Sequence, residues 1–209
     1  MKKALTLLLI GICFNAFAQK KPWKPHARKD CLVLLKTDFG EILLLLYDET
    51  PRHKANFIEL VSSGYYDGMA FHRVLEGFAI QGGDPYTKQG ADSTKIGYGT
   101  AGEDLEAEII PTLKHKRGTL GAARKDDQIN PERRSSKSQF YIIHAAEGAP
   151  HLDGKYTIFG EVLKGMHVVD LIAAQEVGKY GLPKRPIRFN AKTVWMKRKE
   201  ILKKQQENS

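Results

Sequence analysis

The sequence predicts an all-β fold, an antiparallel barrel or sandwich, and three observations support this prediction. About eight short apolar segments have the length of β-strands and are separated by turn residues. Only two segments have helical spacing, and they do not alternate with the strands as βαβ units would. The 209 residues are 42% hydrophobic, which is enough for the core of one domain. Periodicity alone does not separate a barrel from a sandwich.

The first predicted elements are a β-hairpin and a helix. The apolar segments 31–36 and 41–47 are separated by a short turn-forming stretch, and the unbroken apolar run 42–46 predicts a strand covered on both faces. Thr50 precedes a proline and is predicted to be the N-cap of the helix. The apolar residues that follow have helical spacing, and the helix is predicted to end at Gly64.

Two apolar runs, 71–75 and 78–80, are separated by Glu76-Gly77 and predict two strands joined by a turn. Because side chains alternate between the faces of a strand, Arg73 is expected on the same face as Phe71. By the same rule, Phe78 is expected on the same face as Ile80.

A guanidinium among apolar neighbours has two interpretations, since charged groups are rarely buried without a partner. In the first, Arg73 is buried in an ion pair with a carboxylate. In the second, Arg73 and Gln81 face a neutral, carbonyl-rich ligand in a half-apolar groove. The glycines at 82 and 83 would allow close approach of backbone or a turn.

Four further strands and a second helix are predicted in the C-terminal half. The strands are expected at 118–123, 138–143, 156–162 and 186–196, and the helix at 165–175. The segment 124–137 is predicted to be a charged loop, and Asp153-Gly154 a turn.

The first 18 residues have the pattern of a cleaved signal peptide. Two lysines precede a nearly continuous apolar run, and Ala16-Phe17-Ala18 matches the small-x-small cleavage pattern, which predicts cleavage before Gln19. The run is too short to span a bilayer comfortably, and no later segment resembles a transmembrane helix. We therefore expect an exported protein without a membrane span. Cys13 offers the alternative of a lipoprotein, but bulky Ile12 stands where such signals carry a small residue.

Cleavage would leave Cys31 as the remaining cysteine, which excludes an intramolecular disulfide and predicts a small buried apolar side chain. The formal charge of +9 would fall to +7 with the loss of Lys2 and Lys3. The excess of positive charge lies mainly at 20–29 and 197–204. These stretches have little aromatic content and no nucleic-acid-binding motif, so we predict solvated tails and no nucleic-acid partner.

A glycine pattern at 97–102, Gly-Tyr-Gly-Thr-Ala-Gly, satisfies the G-x-G-x-x-G signature of dinucleotide sites. Such a site needs a preceding buried strand and a helix N-terminus that welcomes phosphate. Here the preceding residues are mostly polar, and four carboxylates follow within 103–108 and would repel a pyrophosphate. The nucleotide interpretation is rejected.

The segment 71–84, Phe-His-Arg-Val-Leu-Glu-Gly-Phe-Ala-Ile-Gln-Gly-Gly-Asp, resembles the signature of the cyclophilins, which are peptidyl-prolyl cis–trans isomerases. Further blocks at 118–120, 138–140 and 152–160 resemble the family in the right order. The resemblance implies a closed eight-stranded antiparallel β-barrel capped by two α-helices. We expect this domain at 31–198, after a basic leader at 19–30 and before a basic, polar tail at 199–209.

The resemblance also implies the site residues. Three residues are expected to be catalytic, namely Arg73, Phe78 and Gln81. Six are expected to bind substrate, namely Ala79, Ala123, Tyr141, His151, Leu152 and Tyr156. Four of the nine depart from the family pattern: Tyr141 replaces a Phe, Ala79 a Met, His151 a Trp and Tyr156 a His. The hydroxyl of Tyr141 would need a partner or water, and the last two exchanges put cyclosporin binding in doubt.

The implied reaction is rotation about Xaa–Pro bonds in proline-containing peptides and proteins, by a monomer that uses no cofactor and no metal. Arg73 would stabilise the twisted amide beside an apolar proline pocket. The alternatives are a peptide-binding chaperone with little turnover and an interaction module whose basic tails recruit acidic partners. Signal peptide and family together predict a bacterial periplasmic protein.

Overall fold

The computed structural model describes residues 28–207, so the predicted signal peptide and most of the predicted leader lie outside the described residues. The described chain forms nine β-strands and three α-helices. The strands are β1 (Lys29–Thr37), β2 (Gly40–Leu46), β3 (Met69–Phe71), β4 (Arg73–Leu75), β5 (Ala79–Gly82), β6 (Thr119–Ala122), β7 (Phe140–Ile143), β8 (Ile158–Lys164) and β9 (Ile187–Lys197). The helices are α1 (Pro51–Ser62), α2 (Met166–Ala173) and α3 (Arg198–Glu207). None of the helices in this range is long and apolar enough to cross a membrane.

All strands belong to one antiparallel sheet in the order β3-β9-β1-β2-β8-β6-β7-β5-β4. The two ends of this sheet, β3 and β4, are separated in the chain by His72 alone. The sheet therefore curls into a nearly closed barrel, and the His72 amide donates to the Gln81 carbonyl at the seam (3.0 Å). The barrel is confirmed, whereas the prediction of eight strands is one too low because the run 71–75 is split at His72.

Two side chains do not share the face of the sheet that the sequence predicts for them. Phe71 lies in the interior core whereas Arg73 is exposed, because the break at His72 shifts the alternation between faces. Phe78 lies in the turn before β5, where the strand alternation does not hold, and it packs outside the barrel while Ile80 packs inside. Both predictions of a shared face were wrong.

Two helices add apolar residues to the interior core of the barrel. Phe57, Ile58 and Val61 come from α1, and α2 contributes residues from Val168 to Ala173. The predicted start of α1 is confirmed, because Thr50 is the N-cap residue and Pro51 the first residue of the helix, but within residues 28–207 the Thr50 side chain makes no capping hydrogen bond.

The carboxylate of Glu108, distant in the chain, supplies the side-chain cap of α1. It accepts hydrogen bonds from the amides of Arg52 (3.1 Å) and His53 (2.9 Å) and contacts the His53 ring (2.6 Å). Its negative charge also complements the positive end of the helix, whose first turn carries no acidic residue.

The third helix lies where the composition predicts a solvated tail. Ile201 of α3 is buried against Leu32, Leu43, Leu45 and Leu163, on the outer face of β1, β2 and β8. This face is apolar because 42–46 has no polar residue, so α3 supplies the cover that the sequence predicts for that strand.

A buried ion cluster joins the ends of four elements. The Lys54 ammonium donates to Asp30 (2.8 Å), to the Leu46 carbonyl (3.1 Å) and to Asp48 (2.6 Å). Arg198 at the start of α3 contacts the second oxygens of Asp30 (3.4 Å) and Asp48 (3.1 Å). Lys54 is 1% exposed and Asp30 5%, so their charges depend on each other.

Replacing Lys54 with methionine should lower the free energy of unfolding by about 3–5 kcal/mol, because Asp30 stays buried after losing its closest cation. The matched control is Lys36→Met, which removes an exposed ion pair with Glu41 (3.5 Å) and should cost less than about 1 kcal/mol. Denaturant unfolding of both variants measures the difference. Equal losses would mean that the buried cluster adds nothing beyond an ordinary surface pair.

Candidate active site

The strand registers bring four side-chain positions into one row on the outside of the barrel. Arg73 of β4 pairs with Gln81 of β5, Gln81 with Tyr141 of β7, and Tyr141 with Gly121 of β6. Residues directly opposite each other in neighbouring strands share a face of the sheet. Among residues 28–207, no carboxylate lies within ion-pair distance of Arg73, so the buried ion pair is not formed and the guanidinium is available to a ligand.

An apolar cluster, called the pocket below, lies next to this row and is separate from the interior core. Its buried part is formed by Ala79, Ala123, Tyr141, Ile143, Ala145 and Ala149, and the half-buried Phe78, Leu152 and Tyr156 pack against it. His151 stacks on Phe78 with the ring centroids 5.5 Å apart. The structure thus brings all nine predicted site residues together, six of them in this cluster; their individual roles remain predictions.

Gly121 makes room for the floor of the pocket. A Cβ atom at this position would lie 2.2 Å from the Tyr141 ring, so the ring can lie over β6 only because residue 121 is a glycine. Sequence reasoning missed Gly121 as a site residue, since nothing in the segment 118–123 reveals which glycine faces the ring.

The hydroxyl of Tyr141 has a protein partner. It lies 2.8 Å from Nε2 of His115, and Nδ1 of His115 lies 2.9 Å from the Asp153 carboxylate. Burial alone would raise the pKa of Asp153, but hydrogen bonds from the His115 amide and ring outweigh it and hold the pKa below its usual value. His115 was not predicted as a site residue, because a single histidine in a polar stretch carries no pattern.

Gln81 is held from behind by a polar network. Its amide donates to Gln139 (2.9 Å), which in turn donates to the carbonyls of Gly99 (2.7 Å) and Gly97 (3.2 Å). The amides of Gly97 (2.6 Å) and Gly99 (3.1 Å) donate to the fully buried carboxylate of Asp84. The loop with the dinucleotide-like pattern therefore binds a carboxylate of its own chain.

The charged loop 124–137 is tied to the rim of the pocket. The Arg124 guanidinium lies 4.3 Å from the centroid of the Tyr156 ring, and its Nε donates to the Lys155 carbonyl (3.0 Å). Arg133 donates to the Gly154 carbonyl (3.3 Å). Arg124 is a second residue that sequence reasoning missed, because its contact with Tyr156 spans two loops.

Fold and site together define a class of protein: an antiparallel barrel with an apolar cluster on its outside, next to an exposed guanidinium. The sequence profile described as cyclophilin type peptidyl-prolyl cis-trans isomerase/CLD matches residues 32–194. The chain belongs to this family, and it is a peptidyl-prolyl cis–trans isomerase by family and by its relatives.

Curated relatives span most of the chain. Peptidyl-prolyl cis-trans isomerase CYP18-1 of Arabidopsis thaliana is 40% identical over 78% of this chain and 94% of its own length. A peptidyl-prolyl cis-trans isomerase of the bacterium Acinetobacter baylyi is 34% identical over 90% of this chain and 94% of its own length.

Solved structures agree with this assignment. A crystal structure of a Cryptosporidium parvum cyclophilin type isomerase has a TM-score of 0.67 and 29% identity, and the match covers 80% of this chain and 97% of that one. A second structure of that protein, in the presence of the dipeptide Ala-Pro, has a TM-score of 0.66 and 30% identity over 78% and 98% of the two chains. The family resemblance and the barrel that it implies are confirmed.

Three buried histidines make the folded state sensitive to acid. Burial lowers the pKa of His53, His72 and His115, against the opposing attraction of Glu108, Asp84 and Asp153 respectively. In the unfolded chain the same side chains titrate near pH 6.5. Below that pH the unfolded state binds protons that the folded state excludes, so their stabilising contribution is fully present above about pH 6.5 and is lost as the pH falls through the folded pKa values.

We therefore expect a lower free energy of unfolding at pH 5.5 than at pH 7.5, with at most about 1.4 kcal/mol per pH unit from each histidine. The variant His53→Asn keeps an amide that can donate to Glu108 but does not titrate. Its loss of stability between the two pH values should be smaller than that of the unmutated chain. Denaturant unfolding at both pH values measures the difference, and equal losses would contradict the assignment of His53.

Proposed function

We propose that the chain isomerises Xaa–Pro bonds in the groove around Tyr141, with Arg73 as the group that stabilises the twisted amide. The observation that carries this proposal is the row formed by Arg73, Gln81 and Tyr141. It places a guanidinium, an amide and an aromatic floor side by side on one face.

The reaction requires stabilisation of a rotated bond and no covalent step. Resonance in the C–N bond opposes rotation with a barrier of roughly 18–20 kcal/mol. In the twisted state the prolyl nitrogen regains its lone pair and becomes a better hydrogen-bond acceptor. A donor that binds this nitrogen more strongly in the twisted state than in either planar state accelerates the reaction. Arg73 can supply this donor, and its charge persists at any relevant pH.

The pocket residues have a complementary role. Phe78, Tyr141 and Leu152 form the apolar cup for the proline ring, which anchors one side of the bond while the other side rotates. Gln81, held by Gln139, and the backbone near Ala123 can bind the peptide on either side of proline. Ala79 gives a shallow wall at the edge of the cup.

The site is complete within one chain, which supports action as a monomer. The exchanges at Ala79, His151 and Tyr156 support weak binding of cyclosporin, because the family resemblance places other residues at these positions. We also propose an exported, periplasmic protein, based on the pattern of residues 1–18.

Replacing Arg73 with alanine should reduce kcat by about 100- to 1,000-fold and change KM much less, because the guanidinium acts mainly on the twisted state. Exchange spectroscopy by NMR on a short Xaa–Pro peptide measures both constants. The matched control is Arg28→Ala, an exposed arginine before β1 at the opposite end of that strand from β3, which should leave both constants unchanged. Peptide binding without accelerated exchange in the unmutated protein would instead establish a peptide-binding chaperone.

Expression of the full chain in a bacterium should yield a periplasmic protein that begins at Gln19, identified by intact mass. Replacing Ala18 with leucine should block cleavage, because the processing site requires a small residue there. The variant Cys13→Ser tests the lipoprotein alternative. We expect this variant to be cleaved before Gln19 like the unmutated chain. If the unmutated chain instead carries a lipid and the variant does not, Cys13 is the lipid anchor.

A further inference from the structure

His115 is held on four sides beneath the proline pocket. Its ring is fully buried; Nε2 contacts the Tyr141 hydroxyl (2.8 Å) and Nδ1 contacts Asp153 (2.9 Å). Its backbone amide donates to the same carboxylate oxygen (2.8 Å), and its carbonyl accepts from the amide of Ala149 (2.7 Å). His115 therefore joins the floor of the pocket to the segment 149–153, which carries His151 and Leu152.

The direction of the hydrogen bonds follows from the chemistry of the three groups. An ionised carboxylate only accepts, so Nδ1 of His115 carries the proton that is donated to Asp153. In the neutral ring Nε2 is then an acceptor, and the Tyr141 hydroxyl must be its donor. The Tyr141 hydroxyl therefore donates a hydrogen bond to Nε2 of His115, and Nδ1 of His115 donates one to Asp153.

This arrangement explains how a tyrosine can serve where the family resemblance places a phenylalanine. A buried hydroxyl without a partner carries the full penalty of its desolvation, whereas a hydroxyl with a partner does not. Without His115, the Tyr141 hydroxyl would either admit water to the pocket floor or turn the ring towards another acceptor. Either change would spoil the apolar cup that holds the proline ring.

We propose that His115 is a positioning residue for the isomerase: it binds the Tyr141 hydroxyl and thereby keeps the pocket floor apolar and fixed relative to Leu152. The inference rests on the proposed function of the groove. Since the floor contacts the proline ring in the planar and the twisted states alike, His115 acts on substrate binding more than on turnover.

The test compares His115→Asn in two backgrounds. Asparagine can still donate to Asp153 from a position near that of Nδ1, but it does not reach the Tyr141 hydroxyl. In the otherwise unmutated chain, we expect this substitution to raise KM for an Xaa–Pro peptide about tenfold and to change kcat much less. In the Tyr141→Phe background, where no hydroxyl needs a partner, the same substitution should change KM less than twofold. An equal effect in both backgrounds would overturn the proposal.

A second measurement does not depend on the stability of any variant. The ¹⁵N resonances of His115 in the unmutated protein should be those of a neutral ring protonated at Nδ1 and unprotonated at Nε2. A neutral ring protonated at Nε2 and unprotonated at Nδ1 would overturn the proposal, because it could not donate to the Asp153 carboxylate and would not join the pocket floor to the segment 149–153. If the unmutated protein does not accelerate exchange, the proposed function fails by itself. The comparison of the two backgrounds is then made on the dissociation constant of the same peptide, with the same expected factors.

Discussion

Closure of the sheet at His72 determines where the functional groups point. β3 and β4 are consecutive in the chain, yet they lie at opposite ends of the sheet, and the chain passes between them in one residue. This passage shifts the alternation of side chains, so that Phe71 enters the core and Arg73 leaves it. If the strand continued unbroken, Arg73 would share the buried face of Phe71, where its charge would need a partner. The site depends on this closure because the row from Arg73 to Tyr141 exists only once β4 pairs with β5.

Local patterns predicted the elements that depend on local contacts. The hairpin of β1 and β2, the strands from β6 to β9 and both capping helices follow from hydrophobic period and turn residues. The break at His72 was not predictable in this way, because the residues 71–75 have no turn signal and the split is imposed by pairing with β9 on one side and β5 on the other. The side chain that caps α1 was missed for a similar reason. Thr50 occupies the N-cap position as predicted, but Glu108 accepts from the amides of Arg52 and His53 across more than fifty residues of chain.

Motif resemblance named nine candidate site residues, and the structure brings them together on the outside of the barrel. It could not name the residues behind them. His115 contacts Tyr141, Gln139 contacts Gln81 and Arg124 contacts Tyr156, and each contact joins segments that are distant in sequence. The packing of α3 on the sheet was also not predicted, because one isoleucine among charged residues is a weak signal of a buried helix. The apolar outer face of β2 did indicate that some segment must cover it.

The side chains of an apolar pocket on the outside of a barrel are not held by packing in the interior core. In this chain hydrogen bonds behind the pocket hold them in place. Gln139 joins Gln81 to the loop fixed by Asp84, and His115 joins the floor of the pocket to the segment with Leu152. Such hydrogen bonds are directional, and removing one partner leaves a buried polar group unsatisfied, which lowers the free energy of unfolding. They therefore favour one arrangement of the loops more strongly than apolar contacts, which have no preferred direction. Arg73 remains outside these networks. Among residues 28–207 no carboxylate pairs with Arg73, so the donors of its guanidinium stay available to a peptide, as the proposed stabilisation of a twisted amide requires.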